Sequence, residues 1–167
     1  MTINYCYTDS PLGEILIARD QQGLIGLWFE GQKYYRKPEP DWVLKPDDKL
    51  LKQAVSQLTK YFKKGNIKFD LPLSLAGTEF QQSVWQELLN IPGGETITYG
   101  ELAKRLGKPK AVRAAAAAVG RNPASIIVPC HRVMGANGSL TGYAGGIERK
   151  QHLLSIESGL KLELGGA

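Results

Sequence analysis

The stretch GELAKRLGKPKAVRAAAAAVG, residues 100–120, decides how this chain is read. Glu101–Leu106 has the makings of a short helix. Gly107-Lys108-Pro109 interrupts it, because proline lacks an N–H and pushes the preceding residue toward extended geometry. Ala111–Val119 then resumes as a second helix, ended by Gly120. Helix, tight turn and helix in this space is the helix-turn-helix pattern. The second helix is unusual in carrying Ala114 through Ala118 in succession. A helix that reads base edges presents Arg, Asn or Gln, and here only Lys110, Arg113 and Arg121 have the reach. Alanines on every face let a helix backbone approach another surface closely. That surface is either a packed core or a narrow groove entered without sequence readout, with the helix N-terminus and basic residues against phosphates. For the second case the contact residues are Lys110, Ala111, Arg113, Ala114, Ala116 and Arg121, with Arg113 placed to wedge into a base stack.

Immediately downstream lies Ile126-Ile127-Val128-Pro129-Cys130-His131-Arg132. Residues 126–128 read as a short buried extended run. Pro129 fixes its own φ and restrains Val128, so Cys130 sits on a stiff backbone. A thiol reacts as its thiolate, and its pKa falls beside a histidine or a cation. His131 and Arg132 are candidates for that environment, with His131 reaching the thiol through a local bend or a bridging water. A general base needs an orienting acceptor, and Glu157 is the best placed acid in a half where acids are scarce. Residues 135–146 hold five glycines and read as loop. Ile147–Ser158 reads as a final helix with Ile147, Leu153, Leu154 and Ile156 inward, stopped by Gly159.

Upstream, Thr78-x-x-Gln81 is a capping-box pattern. It opens a helix whose inner face is Phe80, Val84, Leu88 and Leu89 and which ends before Pro92-Gly93-Gly94. Thr96–Thr98 leads from there to Tyr99. The first thirty residues read as an antiparallel meander: residues 3–8 alternate, and turns at Pro11-Leu12-Gly13 and Gln22-Gly23 separate Glu14–Ala18 from Leu24–Phe29. Cys6 is most simply a small strand residue. Residues 31–46, with Pro38, Pro40 and Pro46, read as loop. Asp47 or Asp48 caps a helix running to about Lys64, with Leu50, Leu51, Val55, Leu58 and Phe62 inward, stopped by Gly65-Asn66. Residues 66–77 read as a connector. The expected organisation is α+β: an N-terminal α/β structural lobe over residues 1–75, and a C-terminal, mainly helical lobe over residues 76–167.

The net charge of +5 is unevenly spread. Residues 1–99 carry 11 Lys/Arg against 12 Asp/Glu, whereas residues 100–167 carry 10 against 4. A basic half of this kind suits a polyanion. The two cysteines and two histidines make neither a zinc set nor a disulfide framework, so no metal is expected. No apolar stretch is long enough to span a bilayer, and the N-terminus lacks the basic-then-apolar pattern of a signal peptide. A cytoplasmic protein without membrane contact is expected.

Pro129-Cys130-His131-Arg132-Val133, with Asn122-Pro123 and Gly142-Tyr143-Ala144-Gly145-Gly146, resembles the active-site signature of the O6-alkylguanine-DNA alkyltransferases. The resemblance runs from about Phe80 to Gly159, with the N-terminal lobe similar in outline. It implies a ribonuclease-H-like N-terminal lobe and a winged helix-turn-helix C-terminal lobe that carries the site. It implies single-use, irreversible transfer of an alkyl group from O6-alkylguanine, and O4-alkylthymine, in double-stranded DNA to Cys130 after nucleotide flipping, by a monomer without cofactors. His131, through a water, and Glu157 would generate the thiolate, and Asn122 would tie the active-site turn. Tyr99 would crowd the target phosphate and donate a proton to the leaving guanine. Arg113 would fill the vacated stack. Backbone groups at Cys130, Val133 and Ala144 would read the base, with Tyr143 lining the pocket. Ser125 stands where some members have proline, and Ala144 where some have serine. Three other readings compete: a lesion-binding relative that clamps damage without transfer, an ordinary helix-turn-helix regulator, and a cysteine hydrolase. The presence of Cys130 speaks against the first, and the alanine-rich helix against the second. The third would turn over.

Overall fold

The computed structural model describes residues 2–65, 67–138 and 143–158. Strands β1 (Asn4–Thr8), β2 (Ile15–Arg19) and β3 (Leu24–Phe29) form the expected antiparallel meander. A fourth strand, β4 (Val43–Leu44), adds parallel to β1, giving the order β3-β2-β1-β4. The region read as loop therefore contains an edge strand, and the sheet is mixed rather than purely antiparallel. Two exposed residues are too few to leave an alternation in the sequence.

Both faces of this sheet are covered. Cys6, Ile15, Ile17, Leu27 and Phe29 join the main core, while Leu16, Ala18, Trp28 and Trp42 form a second cluster with Ile3 and Tyr5. Burial on both sides explains why β2 is an unbroken apolar run, Ile-Leu-Ile-Ala. Helix α1 (Lys49–Lys64) is capped by the Asp48 carboxylate, which accepts from Leu51 N–H at 3.1 Å. Its buried face is Leu50, Leu51, Ala54, Leu58 and Tyr61. The expected Val55 and Phe62 only flank that face, so the apolar stripe is turned by one residue. Gly65, at φ 82°, ends the helix; Asn66 lies outside the described residues. The connector is pinned to β3, since Leu24 N–H donates to Pro72 C=O at 2.9 Å and Ser74 N–H to Leu24 C=O at 2.7 Å.

Helix α2 (Glu79–Leu88) opens with the full capping box between Thr78 and Gln81. Val84, Trp85 and Leu88 are buried, whereas Leu89 is 41% exposed as the helix ends. Trp85 takes the inward place expected of Leu89, and its indole N–H donates to Ala118 C=O at 2.9 Å, fixing the alanine helix on α2. Thr98 caps α3 (Tyr99–Arg105), and α4 (Val112–Gly120) follows. β5 (Ile97–Thr98) and β6 (Val133–Met134) form a two-residue parallel pair that brings Tyr99 and the cysteine turn together. On α5 (Ile147–Ser158) the buried residues are Lys150, Leu153 and Glu157. Ile147, expected inside, is 54% exposed. The inner stripe of α5 is thus two charged residues around one leucine, which apolar periodicity cannot find. Gly159 lies outside the described residues.

Candidate active site

The cysteine turn is held by the sheet. Leu27 N–H donates to Pro123 C=O at 2.8 Å, and Leu27 C=O accepts from Ser125 N–H at 3.2 Å. Residues 126–128 are buried but not extended. Ile126 takes φ 73°, a left-handed conformation that costs a β-branched residue on the order of 1–3 kcal/mol. Asn122 bridges this turn: its Oδ1 accepts from Ala124 N–H at 3.0 Å and its Nδ2 donates to Val128 C=O at 2.9 Å. Cys130–Arg132 then forms one turn of 3-10 helix. This is a bend of the kind expected between Cys130 and His131, in place of an extended backbone.

Glu157 is buried and faces four nitrogen and oxygen donors or ring atoms. Its Oε2 lies 2.6 Å from His131 Nε2 and accepts from the Tyr61 hydroxyl at 2.6 Å and Arg132 Nη2 at 2.9 Å, while Oε1 accepts from Arg132 Nε at 2.7 Å. Burial opposes ionisation, but the hydrogen bonds and charges of His131 and Arg132 prevail and hold its pKa at about 2. A carboxylate ionised at neutral pH accepts rather than donates, so the proton between the pair rests on His131 Nε2. Nδ1 is then the bare nitrogen, and it has no hydrogen-bond partner among the described residues. Burial, the leading cause, also pushes the imidazole below its ordinary pKa, so the ring is neutral, with its lone pair at Nδ1.

Cys130 is 4% exposed. Burial raises its thiol to about 11, opposed by the Asn122 side chain and the charge of Lys150. Arg132 does not provide the cation expected beside the thiol; its guanidinium is spent on Glu157 and on Ile91 C=O, 2.6 Å away. Lys150 takes that place. It is wholly buried and donates to Val133 C=O at 2.5 Å. The resting thiol is therefore protonated at neutral pH, and the site is built around a base rather than around a preformed thiolate.

Around this centre, Tyr99 is half-buried at the start of α3, its phenol raised by burial and by nearby Cys130. Tyr143 is buried, and its hydroxyl has no hydrogen-bond partner among the described residues. Ser125 and Val133 are buried. Ala144 C=O accepts from Lys33 N–H at 2.9 Å. Arg149 ties the same loop to the sheet, donating to Gly145, Leu12 and Glu30 carbonyls at 3.0–3.1 Å. Gly142 lies outside the described residues. Lys150, Tyr61 and Arg149 were not legible as site residues, since a lysine or arginine on a helix defaults to solvent and a tyrosine at helical spacing defaults to core.

The outward face of α4 is bare. Lys110, Arg113 and Ala114 are exposed, Ala111 and Ala116 are half-buried, and Ala115, Ala118 and Val119 pack inward. Ala117, not among the expected contacts, is also exposed. Arg121 stacks on Tyr34, its guanidinium carbon 4.0 Å from the ring centroid. No helix among the described residues is long and apolar enough to cross a membrane, and no group of three metal-ligating side chains converges among them.

Fold and site together define a class: a helix-turn-helix protein that sets a buried cysteine next in sequence to a histidine held by a buried glutamate. Residues 79–159 match the model of the 6-O-methylguanine DNA methyltransferase DNA-binding domain, and residues 3–75 that family's ribonuclease-like domain. The chain is 50% identical over 155 residues to the methylated-DNA–protein-cysteine methyltransferase of Methanosarcina acetivorans, covering 92% of this chain and 97% of that one. It is 48% identical over 155 residues to the enzyme of the same name from Mycobacterium tuberculosis, covering 93% and 92%. The crystal structure of Mycobacterium tuberculosis OGT in complex with DNA superposes with a TM-score of 0.87 at 44% identity, covering 96% of this chain and 97% of that one. An O6-methylguanine DNA methyltransferase from Methanococcus jannaschii gives 0.60 at 32%, covering 85% and 92%. The chain belongs to the 6-O-methylguanine DNA methyltransferase family.

Proposed function

We propose that this protein repairs alkylated DNA by direct reversal, moving the alkyl group of O6-alkylguanine, and of O4-alkylthymine, onto Cys130. One observation carries the reading: beside a buried thiol stands a neutral histidine whose tautomer is fixed and whose Nδ1 is bare. The thiol proton passes through a water to Nδ1, and the imidazolium that forms is stabilised by Glu157. The thiolate attacks the alkyl carbon in line. A sulfur–carbon bond forms, the carbon–O6 bond breaks, and its electron pair stays on guanine, which takes a proton from Tyr99. Asn122 and Lys150 stabilise the thiolate meanwhile. The thioether product has no good leaving group, so each chain acts once.

DNA is the partner that fits the bare face of α4. Lys110, Arg121 and the N-terminus of α4 hold phosphates, Ala111, Ala114 and Ala116 allow close approach, and Arg113 occupies the space of the flipped nucleotide. Ser125, Val133, Tyr143 and Ala144 line the base pocket. The protein works as a cytoplasmic monomer without a cofactor. Its sheet-bearing lobe over residues 1–75 supports a transferring lobe over residues 76–167.

The test is to incubate the protein with a duplex holding one O6-methylguanine and measure the intact mass. Wild type gains one methyl group and Cys130→Ser gains none. An unchanged wild-type mass, or an equal gain in the variant, contradicts the reading.

A further inference from the structure

Tyr61 belongs to α1, on the sheet side of the molecule, and is 96 residues from Glu157 in sequence. Its hydroxyl nevertheless donates to Glu157 Oε2 at 2.6 Å, the same oxygen that faces His131 Nε2. The side chain is wholly buried, with its ring edge-on to Phe62 at 5.3 Å and tilted against Phe69 at 5.5 Å. Geometry alone thus fixes where the hydroxyl points. Burial and the charge of Glu157 hold the phenol far above its ordinary pKa, so it donates at every working pH.

We infer that Tyr61 is a positioning residue for the alkyl transfer, setting the tautomer and basicity of His131 through Glu157. The inference rests on the transfer reading above. A buried carboxylate stays ionised only while donors surround it. Arg132 supplies two donors and spans both oxygens, His131 Nε2 supplies a third, and Tyr61 supplies the fourth from the opposite lobe. With this donor in place the His131–Glu157 pair resists taking up a second proton, and Nδ1 stays free to receive the thiol's. Without it, the negative charge on Oε2 is less shared and the pair protonates at higher pH. An imidazolium cannot accept the thiol proton. The sheet and α1 therefore contribute a working group to the reaction and are more than a scaffold.

The experiment uses the full chain, with Tyr61→Phe against Phe69→Leu. The first removes the donor and keeps the ring, whereas the second disturbs the same ring's packing and keeps the donor. Single-turnover methyl uptake from an O6-methylguanine duplex is followed from about pH 5 to pH 9, alongside thermal melting. Tyr61→Phe is expected to slow uptake about 10-fold near neutral pH and to move the acid limb of the profile upward. Phe69→Leu is expected to lower the melting temperature and leave the limb in place. A Tyr61→Phe profile that matches wild type, or a pH-independent fall no larger than that of Phe69→Leu, overturns this role alone. A wild type that takes up no methyl overturns the transfer reading and this role with it.

Discussion

The molecule contains two cysteines in nearly the same electrostatic condition and with opposite prospects. Cys6 on β1 and Cys130 on the 3-10 turn are both buried, and burial raises each thiol to about 11. Cys6 faces Ile17 across the strands, and the charge of Asp48 raises it further. Cys130 has Asn122 and Lys150 to lower it, and the bare Nδ1 of His131 as its neighbour along the chain. A depressed resting pKa is therefore not what separates them. The difference is a base whose own far side is anchored by a carboxylate with four donor contacts. Burial silences a thiol; a fixed proton acceptor beside it reverses that.

The sharpest way to break this contrast is to remove the anchor. Glu157→Gln leaves the partly buried Arg132 guanidinium without its countercharge and frees the tautomer of His131. Methyl uptake is expected to fall about 100-fold or more. Stability is expected to drop by roughly 3–5 kcal/mol, as when one partner of a buried ion pair is lost. Stopped-time uptake assays and denaturant titration read the two effects. A variant as fast as wild type would remove Glu157 from the relay.

Next in size is the delivery of the base. Arg113 is exposed on α4, so Arg113→Ala should change stability by no more than about 0.5 kcal/mol. Repair in duplex should slow about 10- to 100-fold, the scale of the cost of leaving an extruded base uncompensated. Reaction with the free modified base should be unaffected. Equal losses on both substrates would remove the wedge.

The anchor also makes stability depend on pH. Glu157 titrates near about 2 in the fold against an ordinary value of 4.5, so the unfolded chain takes up the proton first. Its contribution is present above about pH 4.5 and is lost as pH falls toward 2. His131, held below its ordinary 6.5, acts in the same direction from about pH 6.5 downward. Melting temperature should thus fall continuously on acidification in wild type, with a flatter slope below about pH 4.5 in Glu157→Gln. Identical slopes would mean that the carboxylate is not the linked group. Smallest of all is Cys6→Ala, which should cost about 1 kcal/mol and leave methyl uptake unchanged.

How much of this was legible depended on whether a residue's role followed from its type. Cys130 and His131 stand in a recognisable run with Asn122 close upstream, and Glu157, which the fold brings onto His131, stood out because acids are scarce in the second half. The helix-turn-helix was legible from Gly107-Lys108-Pro109, and the caps of α1 and α2 from Asp48 and Thr78. Lys150 and Tyr61 were not, because their types carry a strong default of solvent or core, and only the fold overrides it. The left-handed backbone of Ile126 left no trace either, since a β-branched residue is the last expected there. β4, β5 and β6 are each two residues long, below the length at which alternation can register.

The comparison of the two thiols comes down to where the methyl group lands. The direct measurement is to expose the protein to excess O6-methylguanine duplex until uptake stops, digest it, and locate the label by peptide mass spectrometry. The predicted result is a plateau at one methyl group per chain, all of it on the peptide holding Cys130, with Cys6 unmodified. Label on Cys6, or release of methyl that continues past one equivalent, would contradict the account.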